Sequence, residues 1–289
     1  MQRTAHASRQ ARRYVRLPAS RRQCRYQRLR RSEAGFRACA PAGAGSDTMT
    51  VMPADHIVAL RRDSNRIALG VAGRLNHFVP SCPGWQVADL VWHLGIVHMF
   101  WRMVARGVLA GPEAWSEPDR PDTDDLLAWF VGGVDLTADI LDSLDPDMPA
   151  WTWGRRQDVG FIRRRVAQET AVHCWDVVNA VGCNEPIEQT LAVDGVDEFL
   201  DEVLPGLSHD LAGPAQTIRL HAHDSGDEWT VRAGEGSVSP DRASRQAEAT
   251  ATASASDLLL LLWGRRLPDE VQVDGDTVAL QRFLARAAF

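Results

Sequence analysis

Residues 164–176 read RRVAQETAVHCWD, and this stretch decides how the rest of the chain is interpreted. Glu169 and His173 stand four residues apart in it, so on a helix their side chains share one face. A carboxylate oxygen and an imidazole nitrogen at that spacing can bind one metal ion, at about 2 Å each. Glu–His pairs also occur on solvated helix faces, so the spacing alone leaves both a metal site and a surface pair open.

Asp176 follows His173 by three residues and lies near the same face. It has two interpretations. It accepts the second ring N–H of a metal-bound histidine, as carboxylates behind such histidines do, or it forms an ordinary surface or inter-helix salt bridge, for example with the arginines at 163–165. The residues alone leave these two alternatives open.

A third ligand must come from another segment, and His93 is the strongest candidate. It stands among Leu90, Val91 and Leu94, on the apolar side of a predicted helix. A buried histidine needs a partner for its ring nitrogens, and a metal ion is one such partner. A hydrogen-bonded core histidine is the alternative.

Other histidines and cysteines compete less well as ligands. His98 follows His93 by five residues and lies about 140° around the helix from it, so the two side chains do not face one ion. Cys174 and Cys82 are expected to pack as small buried apolar groups. His221 and His223 share a strand face, but no third ligand stands near them, so we expect a surface pair.

Apolar residues recur at steps of three and four over four segments that surround these motifs. The pattern predicts helices that begin near residues 53, 87, 123 and 161, and Gly182 is a natural end for the last one. Four amphipathic helices joined by loops predict a helical bundle.

After Gly182 the pattern changes to alternation of apolar and polar residues. Ile218, Leu220 and Ala222 alternate with polar residues, and Asp224-Ser225-Gly226-Asp227 predicts a hairpin turn. The fold class is therefore α+β, with an N-terminal four-helix bundle followed by a small α+β C-terminal domain. We place the bundle at residues 52–184 and the second domain at residues 185–289.

Residues 1–51 predict a disordered, Arg-rich tail. Residues 1–48 hold twelve arginines against Glu33 and Asp47, a charge of +10; the whole chain carries −6, so the remainder carries −16. No apolar segment of a secretory signal follows the arginines. A transit peptide, a nucleic-acid-binding arm, and translation from Met49 or Met52 are the alternatives.

Composition excludes several classes of protein. The acidic remainder argues against a nucleic-acid partner. The sequence contains no apolar run of about 18 residues or more, so no membrane span is predicted. The five cysteines are odd in number and include no CxxC pair. A disulfide framework is therefore not expected, and the chain is predicted to be cytoplasmic.

Two motifs together carry a resemblance to a known family. VPSCPGWQVADLVWHL, residues 79–94, resembles the signature "vPtCPgWtvadLlaHl", and RRVAQETAVHCWD resembles "RRmahEtavHrwD". Both belong to the mycothiol-dependent maleylpyruvate isomerase family, within the DinB-like helical bundles. The resemblance covers roughly residues 52–289, because the part after Thr217 is similar to that family's C-terminal domain. Gln168 and Cys174 depart from the second signature, which usually has His and Arg there.

The resemblance implies a metal site and a thiol cosubstrate. The family's metal ligands map onto His93, Glu169 and His173, so we expect zinc there, with mycothiol as the thiol. A thiolate can add to a small electrophile, which gives either cis–trans isomerisation or S-transfer. A non-catalytic module that binds the metal and the thiol is one alternative, and a structural bundle without a metal is another.

Substrate recognition is less defined in the sequence. Arginines suit carboxylates, and the candidates are Arg155, Arg156, Arg163–Arg165, Arg219 and Arg232. Exposed arginines without a substrate role are the alternative. The tryptophans that flank the motifs are expected either to wall a pocket or to pack in the core: Trp85, Trp92 and Trp175.

Overall fold

The structure is a computed structural model, and it describes residues 55–206, 214–234 and 237–287. The predicted tail at residues 1–51 lies outside these ranges, so its prediction stays untested. No helix in the described ranges is long and apolar enough to cross a membrane.

The N-terminal part is the predicted four-helix bundle. Its helices are α1 (His56–Gly70), α2 (Val87–Ala105), α3 (Thr123–Ser143) and α4 (Val159–Ala180). Helix α1 packs against α3 and α4, and α2 packs against the same two helices. This cyclic arrangement is that of a four-helix bundle, and it sets α2 directly beside α4.

Local capping explains where α4 begins and ends. The Asp158 side chain accepts a hydrogen bond from the backbone N–H of Phe161, which satisfies one of the free donors of the first turn. At the other end, Gly182 has a φ of 91°, a conformation that costs other residues energy. Its N–H donates to the carbonyl of Asn179. Helix α4 therefore stops where the sequence predicts.

The C-terminal part is a five-stranded sheet with helices. The strands are β1 (Gln216–Ala222), β2 (Glu228–Gly234), β3 (Ser237–Asp241), β4 (Ala249–Ala253) and β5 (Gln272–Gly275). Their order is β3-β2-β1-β4-β5, in which only the β1–β4 pair is parallel. The helices are α5 (Gln189–Glu198), α6 (Ala255–Leu262) and α7 (Thr277–Ala287). The α+β class is thus confirmed.

Helix α5 is an element that the sequence pattern did not predict. It is followed by a π-helical turn, Phe199–Val203, and a short helical turn, Leu204–Gly206. The buried apolar residues of this segment recur at steps of three and four, a spacing that predicts a helix: Leu191, Ala192, Val196, Phe199, Leu200, Val203 and Leu204. Helix α5 bears directly on the site, because it lies against α4.

One apolar core joins the two parts of the molecule. Ala167, Ala171, Val172 and Trp175 of α4 belong to the same buried cluster as the apolar residues of α5, α6 and the sheet. The predicted boundary between residues 184 and 185 falls in the segment that connects α4 to α5. The shared core extends across this boundary without a break. The boundary therefore stays a prediction.

Candidate metal centre

The bundle brings His93, Glu169 and His173 together. Nε2 of His93 lies 3.2 Å from Oε1 of Glu169, and Nε2 of His173 lies 3.3 Å from the same oxygen. The two imidazole rings stand edge to face, with centroids 5.2 Å apart. Helix α4 supplies Glu169 and His173 from adjacent turns, and α2 supplies His93 from the side.

This donor set fits a single divalent metal ion. The two nitrogen-to-oxygen distances of 3.2 and 3.3 Å are close to the separation of about 3.3 Å between tetrahedral donors that each lie about 2 Å from one centre. Two imidazole nitrogens and one carboxylate oxygen are ligands that zinc accepts. The side chains of His93 and Glu169 are 17% and 18% exposed, so solvent reaches this face of the group.

A second carboxylate orients His173. Oδ2 of Asp176 lies 2.8 Å from Nδ1 of His173, which leaves Nε2 to face Glu169 and His93. Asp176 is fully buried and also accepts hydrogen bonds from Ser81 and from Arg265. The sequence left open a hydrogen bond to the histidine and a salt bridge. Asp176 forms both, and the arginine in the salt bridge is Arg265 rather than one of those at 163–165.

Arg165 holds the other oxygen of Glu169. Its Nη2 donates to Oε2 of Glu169 at 2.9 Å, and its Nη1 donates to Glu198 on α5. Its guanidinium group also lies over the ring of Trp263, 5.3 Å from the centroid. The carboxylate of Glu169 thus has one oxygen bound to a cation and the other turned to the two histidines.

Burial and hydrogen bonding shift the pKa values of all three candidate ligands. Burial lowers the pKa of His93. For Glu169, hydrogen bonds from the two histidines and the charge of Arg165 outweigh burial and hold the pKa well below its usual value. For His173, hydrogen bonds to Asp176 and Glu169 outweigh burial and raise the pKa. The lowered pKa values favour the ionised carboxylate of Glu169 and the neutral ring of His93 that a metal binds. The raised pKa of His173 favours its protonated ring, so a metal must displace that proton in order to bind.

The remaining histidines do not join this group. His98 is buried elsewhere in the bundle, where its Nε2 lies 2.8 Å from the hydroxyl of Thr170 and its ring stacks on Phe130. Burial lowers the pKa of His98 to about 3. Two groups of three suitable ligands occur among the residues that the structure describes, and neither contains His221 or His223.

The second of these groups consists of Cys82, His173 and Asp176. The guanidinium cation of Arg265 already lies beside this group, because its Nη2 is 3.1 Å from Oδ2 of Asp176 and 4.0 Å from the sulfur of Cys82. Burial, together with the charge of Asp176, raises the pKa of the Cys82 thiol to about 12. Cys82 is therefore a protonated neighbour of the site, in keeping with the packing role expected of it.

The arginine candidates divide clearly. Arg163 donates to backbone carbonyls at the end of α3, including that of Leu144, and Arg164 pairs with Asp194. Arg165 alone among the predicted arginines contacts a candidate metal ligand. Arg265 was missed, as was Glu198, because neither is linked to the motifs by any regular spacing.

The tryptophans near the motifs also take different positions. The ring of Trp85 lies 5.3 Å from the His93 ring and forms a wall of the site. Trp92 packs on Trp129, 4.9 Å away, and Trp175 lies under Arg266. Only the first of the three predicted rings contacts a candidate metal ligand in the described structure.

Comparison with known proteins gives the same family for both parts of the chain. The profile described as "Mycothiol maleylpyruvate isomerase N-terminal domain" matches residues 59–178. The profile described as "MDMPI C-terminal domain" matches residues 190–282. No curated protein matches the chain significantly.

Solved structures show the same fold. The crystal structure of the mycothiol-dependent maleylpyruvate isomerase aligns with a TM-score of 0.55 at 14% identity, over 76% of this chain and 92% of that chain. A mutant of that enzyme aligns with a TM-score of 0.54 at 12% identity, over the same shares. At these identities the likeness concerns the fold, while the two profiles cover most of the sequence. The chain belongs to the mycothiol-dependent maleylpyruvate isomerase family.

Proposed function

We propose that this protein is a zinc- and mycothiol-dependent enzyme that isomerises a small electrophile with an electron-poor double bond. The observation that carries the proposal is the convergence of His93, Glu169 and His173 on one point, with Asp176 behind His173. Three protein ligands leave a coordination position free, as in catalytic rather than structural zinc sites.

The bound metal would supply the Lewis acidity that keeps a thiol deprotonated at neutral pH. The chain's own residues hold the charges around it. Glu169 contributes a carboxylate that is ionised at pH 7, and Asp176 keeps the donor nitrogen of His173 turned inward. The ring of Trp85 supplies an apolar wall beside His93.

The proposed chemistry uses the thiolate of the cosubstrate as a nucleophile. It adds to one carbon of the double bond, and the electron pair moves onto the conjugated carbonyl oxygen. The resulting single bond rotates, and expulsion of the thiolate then restores the double bond in the trans form. No atom is gained or lost overall, so mycothiol is regenerated. If the adduct is protonated and released instead, the same site performs S-transfer.

Metal analysis and a turnover assay test this proposal. We expect the purified protein to contain one zinc per chain and to isomerise a cis dicarboxylic enone only when mycothiol is present. Removal of the metal by a chelator should abolish turnover, and added zinc should restore it. Bound zinc and mycothiol without turnover of any electrophile would favour a binding module. Protein that takes up no metal would contradict the proposal.

The same proposal places the protein in a reducing cytoplasm. Cys82, Cys174 and Cys183, the cysteines that the structure describes, are free thiols, and a thiol cosubstrate also requires reducing conditions.

A further inference from the structure

Glu198 is a buried carboxylate that lies behind the site without being a metal ligand. It is the last residue of α5, immediately before the π-helical turn, and its side chain is 1% exposed. One oxygen, Oε2, accepts a hydrogen bond from Arg165 of α4. The other, Oε1, is buried and has no hydrogen-bond partner among the described residues.

Arg165 connects this carboxylate to a candidate metal ligand. The guanidinium group is 5% exposed and uses its two terminal nitrogens on different acids, Nη1 on Glu198 and Nη2 on Glu169. A planar fork bound at both ends has little freedom to rotate. It therefore holds Oε2 of Glu169, and Oε1 is left 3.2 Å from His93 and 3.3 Å from His173.

Stability alone does not explain a charged pair in this place. Removing charges from water costs several kcal/mol per ion, and well-packed apolar residues often replace a buried pair at no loss. The unpaired oxygen of Glu198 adds to that cost. The pair does impose an orientation, because Arg165 bonds to both acids, and the group that it orients is Glu169.

We propose that Glu198 is a positioning residue for the metal site, acting through Arg165 to fix the carboxylate of Glu169. The inference rests on the proposed function, since it takes Glu169 as a metal ligand. It also makes α5, an element of the C-terminal part, a determinant of metal affinity in the bundle. Partners that orient a metal ligand typically change metal affinity by about 10- to 100-fold when they are mutated.

The test compares two acids on the same helix. Glu198→Gln removes the charge that holds Arg165 with almost no change of shape. Asp194→Asn is the matched control, because Asp194 also lies on α5 and pairs with an arginine of α4, but that arginine is Arg164, which contacts no candidate ligand. Zinc is the probe: its dissociation constant is measured at pH 7 by competition with a chromophoric chelator, alongside the unfolding midpoint of each metal-free protein.

We expect Glu198→Gln to weaken zinc binding by about tenfold or more and Asp194→Asn to leave it within about threefold. A merely structural role for Glu198 would lower the unfolding midpoint and leave the zinc affinity of the folded protein unchanged, which would overturn the inference. An equal loss of affinity in both variants would overturn it as well.

A second variant covers the case in which Glu198→Gln does not fold. Arg165→Lys keeps a positive charge beside Glu169, but a single ammonium group cannot bind two acids as a fork does. The same weakening of zinc binding is expected, and unchanged affinity would refute the positioning role. Wild-type protein that binds no zinc would instead contradict the proposed function, so the two failures are distinguishable.

Discussion

One carboxylate holds Nδ1 of His173 and a second lies beside Nε2, and this arrangement determines what the residue can do. Asp176 holds Nδ1 at 2.8 Å, and Glu169 lies 3.3 Å from Nε2. A histidine fixed on one side by a buried acid presents its other nitrogen in one orientation and as a stronger base. His98, 1% exposed, has a hydroxyl partner for Nε2 and none for Nδ1 among the described residues.

Substitution of these two histidines should therefore have different effects on zinc. We expect His173→Ala to lose bound zinc and turnover together, because two remaining protein donors do not hold an open site. His98→Ala should keep its zinc and lose stability, by about 1–3 kcal/mol for a buried side chain. Zinc content of the purified variants is the measurement. Loss of zinc from the His98 variant with retention in the His173 variant would show that the ligand assignment is wrong.

The cysteines should differ in their reactivity towards alkylation. Burial raises the pKa of Cys82 and of Cys174 to about 12, and both side chains are 2% exposed. Cys183 is half-buried, after the end of α4. Since the thiolate is the reactive form, we expect iodoacetamide at pH 8 to modify Cys183 first among these three described cysteines and to leave the other two unmodified. Peptide mass mapping of native protein reads this out, with denatured protein as the control; early labelling of Cys82 would contradict the prediction.

Helix α4 serves two purposes because its faces contact different elements. One face presents Glu169 and His173 to α2. On another, Arg164 and Gln168 bind Asp194 of α5, at 3.1 Å and 2.7 Å. Asp194 also lies 3.0 Å from Nε2 of His56 at the start of α1. A single carboxylate thus ties three helices together, away from the candidate metal ligands.

Asp194→Asn should lower stability in a manner that depends on pH. Hydrogen bonding from His56 and the charge of Arg164 outweigh burial and lower the pKa of Asp194. Its contribution is therefore present above the unfolded-state pKa of about 3.9 and is lost as the pH falls through the lower folded-state value. We expect a loss of about 1–2 kcal/mol at pH 7, discounted for partial exposure.

Urea unfolding of the variant and the wild type, at pH 7 and at pH 3, measures this difference. It should be largest at pH 7 and should shrink at pH 3. A difference that grows on acidification would contradict the lowered pKa of Asp194.

The whole molecule is held together by a core that crosses from the bundle to the sheet. Ala171, Val172 and Trp175 of α4 pack in the same buried cluster as the apolar residues of the sheet. Two buried ion pairs also join the parts, Arg165 with Glu198 and Arg265 with Asp176. If one part unfolded while the other stayed folded, the folded part would expose apolar surface and lose these ion pairs. The free-energy cost would be several kcal/mol.

Unfolding should therefore occur in one cooperative transition. We expect the far-ultraviolet signal of the helices and the tryptophan fluorescence of the whole chain to change at one temperature in metal-free protein. The fluorescence reports on both parts, since Trp229 is in the sheet and Trp101 in the bundle. Two separated transitions would show that the bundle and the sheet unfold independently.

The sequence by itself determined what depends on spacing along the chain. The four bundle helices follow from apolar residues at steps of three and four, and the pairing of Glu169 with His173 follows from one helical turn. The outer strands and α5 were harder to predict. Strand β3 is short and carries no buried residue. It is held by backbone hydrogen bonds to β2, and no pattern of apolar residues predicts such a strand.

Only the tertiary structure decided which distant residues complete the site. His93 is 76 residues from Glu169 in sequence, and its apolar surroundings together with the resemblance to the family, rather than any spacing, made it the candidate. Arg265 and Glu198 come from the C-terminal part, 89 residues from Asp176 and 33 from Arg165. Such contacts have no period along the chain, because they arise when packing of the shared core brings α5 and the end of α6 against α4.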